Sequence, residues 1–217
     1  MKKKYTVQVD SDLYSQERYL TTPRWSSYSL IVSEVIKLYP QKILEIRPGN
    51  GIITNILRNF GFKVLTLDFD PNVKPDILTD ITKIETEKLK NSNFDLIIAA
   101  EVFEHISFED FISSIKKLKN VAPKLLLTLP YTTKNSIFFS FSFNLPVIKK
   151  VSFSKKLIFR KEKHEFNGQH YWEIGKISYP LHKISSDINK SGWEIYKQFI
   201  NPENPYHYFF LLSRKHD

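Results

Sequence analysis

The chain has 217 residues, 41% of them hydrophobic and 25% charged, which is ordinary globular usage: one domain with an insertion, or two small domains, rather than a disordered segment. It contains no cysteine, which excludes disulfides, cysteine-ligated zinc or iron–sulfur sites and any cysteine nucleophile. The formal charge of +9 favours acidic partners, but the dense runs are confined to Lys2-Lys3-Lys4 and the pairs Lys116-Lys117, Lys149-Lys150 and Lys155-Lys156; they lack the aromatic interleaving of a nucleic-acid interface, so nucleic acid is not the expected partner.

The basic start runs into polar residues, Tyr5 to Ser15, with no apolar stretch behind it, so export is not indicated and a cytoplasmic location is the expectation. Leu30, Ile31, Val35, Ile36 and Leu38 follow a helical period that stops before Pro40, which makes residues 1–40 an N-terminal helical cap. Lys42 to Ile46 has the pattern of a short buried strand. It runs through Pro48-Gly49-Asn50-Gly51 into a helix over Ile52 to Phe60, closed by Gly61. Strands follow at Lys63 to Leu67 and Asp95 to Ala100, then a helix at Phe108 to Leu118 and a strand at Lys124 to Leu129.

Strands that are apolar throughout and alternate with helices predict a mostly parallel sheet covered on both faces. Residues 131–180 break this rhythm with aromatics and lysines, and are expected to be an insertion lying over the sheet as an acceptor-side lid. Its most apolar part, Ile137 to Ile148, is interrupted by polar residues and falls short of the roughly 20 residues that cross a membrane. A helix around Ile184 to Lys190 and strands at Trp193 to Gln198 and Tyr208 to Leu212 predict an antiparallel pair at one side of the sheet.

Two features carry chemistry. Glu45-Ile46-Arg47-Pro48-Gly49-Asn50-Gly51 ends the first strand and opens a helix, where glycine permits a tight turn and close approach of a ligand to the backbone. Asp68 ends the next strand, some 17 positions after Gly51, where a carboxylate can accept from both hydroxyls of a ribose. Each feature alone also fits a plain turn or a solvated strand end. Together they must converge at the carboxyl ends of adjacent parallel strands, where open α/β sheets bind ligands.

The segments Ile43 to Gly51, Val64 to Asp68, Pro75 to Ile81 and Phe94 to Ile106, the last with Glu101-Val102-Phe103-Glu104-His105-Ile106, resemble the successive motifs of class I S-adenosylmethionine-dependent methyltransferases, small-molecule branch. The resemblance covers roughly residues 40–130. It implies one Rossmann-like, doubly wound domain with a seven-stranded sheet and S-adenosylmethionine as cofactor. Glu45 and the backbone at Gly49 and Gly51 would hold the methionine part. Asp68 would bind the ribose, Phe69 and Ile81 would flank the adenine and Asp80 would accept from its amino group. Ala100 and Glu101 would floor the sulfonium. Apart from the resemblance, Tyr19 to Trp25 ahead of the first strand are expected to close over the cofactor, where Arg24 can meet its carboxylate. One departure stands out: the family has glycine where this chain has Arg47.

Methyl transfer from a sulfonium needs alignment and loss of the acceptor's proton. His170 is the first candidate base and His105 the second. His170 lies in the run His164 to Glu173, which resembles a segment of bacterial methyltransferases of surface-polysaccharide biosynthesis; a saccharide oxygen or nitrogen is the expected target. No metal ligand set is read from the spacing. The insertion's Phe138, Phe139, Phe141, Phe143, Phe153 and Phe159 beside lysines suit an anionic interface, so a membrane-surface or lipid-linked acceptor is a further expectation, open to vesicle co-sedimentation. The rival readings are a non-catalytic adaptor, for which Arg47 speaks, and a nicotinamide-dependent oxidoreductase, which would want glycine where Thr54 stands.

Overall fold

A computed structural model describes residues 19–143, 151–166 and 168–215. The leading lysines, Lys149-Lys150 and Asn167 lie outside these residues. In chain order the elements are α1 (Thr22–Leu38), β1 (Lys42–Ile46), α2 (Ile52–Asn59), β2 (Lys63–Asp68), β3 (Ile77–Leu78), α3 (Thr86–Lys90), β4 (Leu96–Ala100), α4 (Phe108–Leu118), β5 (Lys124–Pro130), β6 (Ser136–Phe143), β7 (Val151–Ile158), α5 (Leu181–Lys190), β8 (Trp193–Ile200) and β9 (His207–Arg214).

Seven strands form one sheet in the order β3-β2-β1-β4-β5-β9-β8. The first five are parallel, and β9 runs antiparallel to both β5 and β8. Because side chains alternate across a strand, β1 sends Leu44 and Ile46 to one face and Ile43 to the other. On the Ile43 face, Ile31, Val32 and Val35 of α1 and Ile53 and Leu57 of α2 complete the packing. On the opposite face, Phe111, Ile115 and Leu118 of α4 and Ile184 and Ile188 of α5 bury against the sheet with Trp172 and Trp193. Both indoles are satisfied internally: Trp172 donates to the Ile106 carbonyl at 3.2 Å and Trp193 to that of Ile115 at 2.8 Å. This is the doubly wound arrangement expected from the alternating pattern.

The insertion is more regular than its sequence suggests. β6 and β7 pair antiparallel as a separate two-stranded sheet, from Ser136↔Ile158 to Phe143↔Val151. The expectation of no strand rhythm there is corrected. A hairpin standing off the body buries neither face fully, so its residues carry no core pattern to read. Its base is fixed by Lys156, whose Nζ donates to the carbonyls of Tyr131 (3.0 Å), Thr132 (3.3 Å) and Pro205. Phe141, Phe143 and Phe153 are exposed. Among the described residues no helix is long and apolar enough to cross a membrane.

Candidate active site

The strand order reverses at β1, which has β2 on one side and β4 on the other, and a crevice opens beyond their carboxyl ends. To turn from β1 into α2 the chain takes three residues into the left-handed region: Arg47 at φ 53°, Gly49 at 57° and Gly51 at 71°. Two of these are glycine, where the conformation is free of the Cβ clash. At the first, the backbone keeps the conformation although the residue is arginine, at a cost of about 1–2 kcal/mol. Arg47 N donates to the Leu67 carbonyl at 2.7 Å, which ties the turn to β2.

The crevice is divided in two. A cavity of about 270 Å³ is walled by Arg24 and Tyr28 of α1, Glu45, Gly49 and Asn50, Ala100 and Glu101, Glu104 and His105, Gln169 and His170, and Tyr206 and His207. A second space of about 20 Å³ lies among Leu67 to Phe69, Thr79 to Ile81, Val102, His105 and Ile106, little more than one water needs. Arg47 lines both, with its guanidinium carbon 5.7 Å from the Phe69 ring centre. Of the residues expected to act, Arg24, Glu45, Gly49, Ala100, Glu101, His105 and His170 share the first cavity; Asp68, Phe69, Asp80 and Ile81 share the second. Gly51 stands at the N-terminus of α2 with its N–H on the Pro48 carbonyl.

The larger cavity concentrates buried charge. Glu45 is 3% exposed and accepts from the Thr54 hydroxyl on α2; burial raises its pKa to about 7 against the opposing pull of that bond and of Arg58. This contact explains why Thr54 stands where a dinucleotide site would want glycine. Burial likewise raises Glu101 to about 8 and pushes Glu104, with the neighbouring charge of Glu101, well above the usual carboxylate range. Both oxygens of Glu104, Oε1 of Glu101 and Nδ2 of Asn50 are buried without a hydrogen-bond partner among the described residues. Burial, aided by the Arg47 charge, lowers His105 to about 2, so it accepts a proton poorly. His170 Nδ1 donates to Glu173 Oε1 at 2.9 Å, and His164 Nε2 donates to the His170 carbonyl at 2.9 Å. His164 is therefore a support for the loop.

The second space is already satisfied. Asp68 accepts from Asp70 N at 3.0 Å, and its pKa is raised by burial. Asp80 accepts from Thr82 N at 2.9 Å and Thr82 Oγ1 at 2.8 Å, with Lys83 Nζ at 3.3 Å from its other oxygen. Ile81 is core and Phe69 is half-buried. Sequence reasoning assigned no role to Tyr28, Asn50, Glu104, Gln169, Tyr206 or His207. For Glu104 the signal was its place three residues after Glu101, and Asn50 and Gln169 sit within the glycine turn and the His164–Glu173 run; Tyr28, Tyr206 and His207 arrive from elements distant in sequence and left none.

No family model matches the chain. A curated relative, the ribosomal RNA small subunit methyltransferase A of Mesoplasma florum, is 27% identical over 99 residues, or 46% of this chain. The match spans only 33% of that relative's length. Among solved structures, an S-adenosylmethionine-dependent methyltransferase from Clostridium acetobutylicum superimposes with a TM-score of 0.59 at 11% identity, covering 95% of this chain and 98% of the other. The glycopeptide N-methyltransferase MtfA in complex with S-adenosylhomocysteine gives 0.57 at 11% identity, over 88% of this chain and 89% of its own. The chain has the Rossmann-like fold of these methyltransferases.

Proposed function

We propose that the protein transfers a methyl group from S-adenosylmethionine to an oxygen or nitrogen of a small-molecule acceptor. The observation that carries this reading is the chemistry of the larger cavity at the β1–β4 switch point. A methionine tail bears an ammonium and a carboxylate. Glu45 offers the ammonium a carboxylate, and Asn50 Nδ2 and Arg24 offer the carboxylate donors, all within one wall system. Asp68 stands at the end of β2, where it would take the ribose hydroxyls once Arg47 moves aside, with Phe69, Asp80 and Ile81 behind it on the adenine side.

The methyl group would then point towards Ala100 and Glu101, and the acceptor would lie between Glu101 and the two histidines. His170, held by Glu173, would polarise its O–H or N–H. Most of the rate would come from alignment, since the sulfonium is already an activated leaving group. The resemblance of the His164–Glu173 run favours a hydroxyl-rich acceptor such as a saccharide, and this run supplies Gln169 and His170 to the wall.

A second reading rests on Arg47. Its side chain lines both spaces, and a chain that kept the fold while losing the cofactor would look like this; it would serve as a binding adaptor. Isothermal calorimetry separates the readings. S-adenosylmethionine should bind with one-to-one stoichiometry and NAD should give no heat. Binding of NAD alone would favour the oxidoreductase, and silence with both would leave the adaptor.

A further inference from the structure

We propose that Glu104, His105 and His170 form a site for one first-row divalent cation of the zinc type. One ligand atom from each residue lies within 4.8 Å of the other two. Glu104 and His105 come from the single turn Phe103–His105 behind β4, and His170 from the loop ahead of Trp172. The two segments are laced together on either side of the cluster: Tyr171 N donates to the Glu104 carbonyl at 2.7 Å and Trp172 Nε1 to that of Ile106 at 3.2 Å. The ligand positions are therefore set by backbone and core.

Both imidazoles are oriented as metal ligands are. His105 Nδ1 donates to the Gln169 carbonyl at 3.1 Å, and His170 Nδ1 donates to Glu173 Oε1, which also accepts from the Tyr206 hydroxyl at 3.2 Å. A neutral imidazole has one N–H, so each ring carries its lone pair on Nε2, and a carbonyl or carboxylate behind the other nitrogen is the usual outer support of a ligating histidine. The third group is the independent sign. Glu104 is 1% exposed, and both its oxygens lack a hydrogen-bond partner among the described residues. Oε1 lies 3.7 Å from His105 Nε2, too far for a hydrogen bond. A buried carboxylate left so is costly, and a cation bound to it removes the cost.

Two imidazoles and a carboxylate suit zinc, cobalt or iron better than magnesium or calcium, which prefer oxygen alone. Metal–ligand bonds of about 2.0–2.1 Å require the ligand atoms to draw together by roughly 1 Å, a side-chain adjustment. Three protein ligands leave a position open, and this one faces the larger cavity. If the methyltransferase reading holds, that position selects an acceptor with an oxygen able to reach the ion. The histidines then act on it through the ion rather than by taking its proton. Metal binding itself does not depend on that reading.

The test uses the full chain stripped with a chelator. Zn2+ is titrated against a chromophoric competitor and Co2+ by its visible absorption, and S-adenosylhomocysteine binding is measured on the same samples. One equivalent of each metal should bind, with the intense bands of Co2+ in a low-symmetry nitrogen and oxygen site, and excess Mg2+ should not displace it. Glu104→Gln, His105→Ala and His170→Ala should each weaken Zn2+ by at least about 100-fold, and Glu173→Gln by about tenfold through the orientation of His170. A folded wild-type chain that binds S-adenosylhomocysteine but takes up no stoichiometric Zn2+ or Co2+ overturns the proposal and spares the methyltransferase reading. Metal uptake without S-adenosylhomocysteine binding does the reverse. Should a variant misfold, the wild-type cobalt spectrum still decides.

Discussion

The two spaces on either side of Arg47 are built on opposite principles. The larger one is lined by groups without a hydrogen-bond partner among the described residues, the Glu104 carboxylate, one oxygen of Glu101 and the Asn50 amide nitrogen, beside a Glu45 whose pKa burial lifts to about 7. On the smaller side Asp80 caps the turn at Ile81–Lys83 and Asp68 holds Asp70 N. Buried polar groups are ordinarily paired, and exceptions collect where a ligand or a reaction supplies the missing partner. On the proposed reading, the tail and acceptor side is thus prepared before anything binds, and the nucleoside side has to be opened.

The contrast is sharpest at Asp68. If the ribose is gripped there, replacing Asp68 with alanine removes two charge-assisted hydrogen bonds, a loss of about 3 kcal/mol or roughly 100-fold in S-adenosylhomocysteine affinity. Calorimetry checks it, and Asp68→Asn, which can still accept from Asp70 N, controls for local collapse. Unchanged affinity in Asp68→Ala would mean that the smaller space is plain core and that the ligand does not cross Arg47.

How far this division was legible in the sequence follows from the kind of signal each part leaves. The sheet, its order of helices and the glycine turn were readable because β1, β4 and β5 are apolar on both faces and Gly49 and Gly51 punctuate them. The strand pair β6–β7 was not, since an exposed hairpin has no buried face to impose a pattern. Residues on or near β1, β2 and β4 could be placed because short connections fix them in sequence. Tyr206 and His207 could not: β9 and the residue ahead of it reach the cavity through tertiary packing, and of α1 only Arg24 was expected there, not Tyr28. Nor does a sequence show that His170 and Glu104 meet, as that depends on the Trp172–Ile106 bond.

A smaller effect tests the prepared side through pH. In the unfolded chain Glu45 loses its proton near 4.5, whereas in the fold it keeps it to about 7. Between these values the folded state binds more protons, so apo stability falls as pH rises, by about 3 kcal/mol in all, and is at its greatest below pH 4.5 as far as this group is concerned. Ligand binding runs the other way. The cofactor ammonium favours the ionised carboxylate, so affinity should climb from pH 5 to 7, by up to about tenfold per unit, and level off above. Calorimetry in two buffers of different ionisation enthalpy should show a proton released near pH 6. Glu45→Gln should flatten both curves, and curves unaltered by that change would remove Glu45 from the tail site.

The smallest effect concerns Arg47 itself. A glycine here relieves the left-handed strain and removes a side chain that, like that of His105, lines both spaces. The same change takes a positive charge away from Asp68 and Glu104, whose raised pKa values it opposes. Strain relief raises stability in the free and bound states alike and cancels from affinity; what remains is the open passage against the lost charge. Because the ligand's own ammonium supplies positive charge to the larger cavity, the opening should win, and Arg47→Gly should bind S-adenosylhomocysteine about fivefold more tightly, ~1 kcal/mol. Arg47→Lys keeps the charge and the obstruction and should gain nothing. A weaker complex in Arg47→Gly would turn the barrier into a contact: the guanidinium would then be holding the ligand, and the division of the crevice would exist only in the free protein.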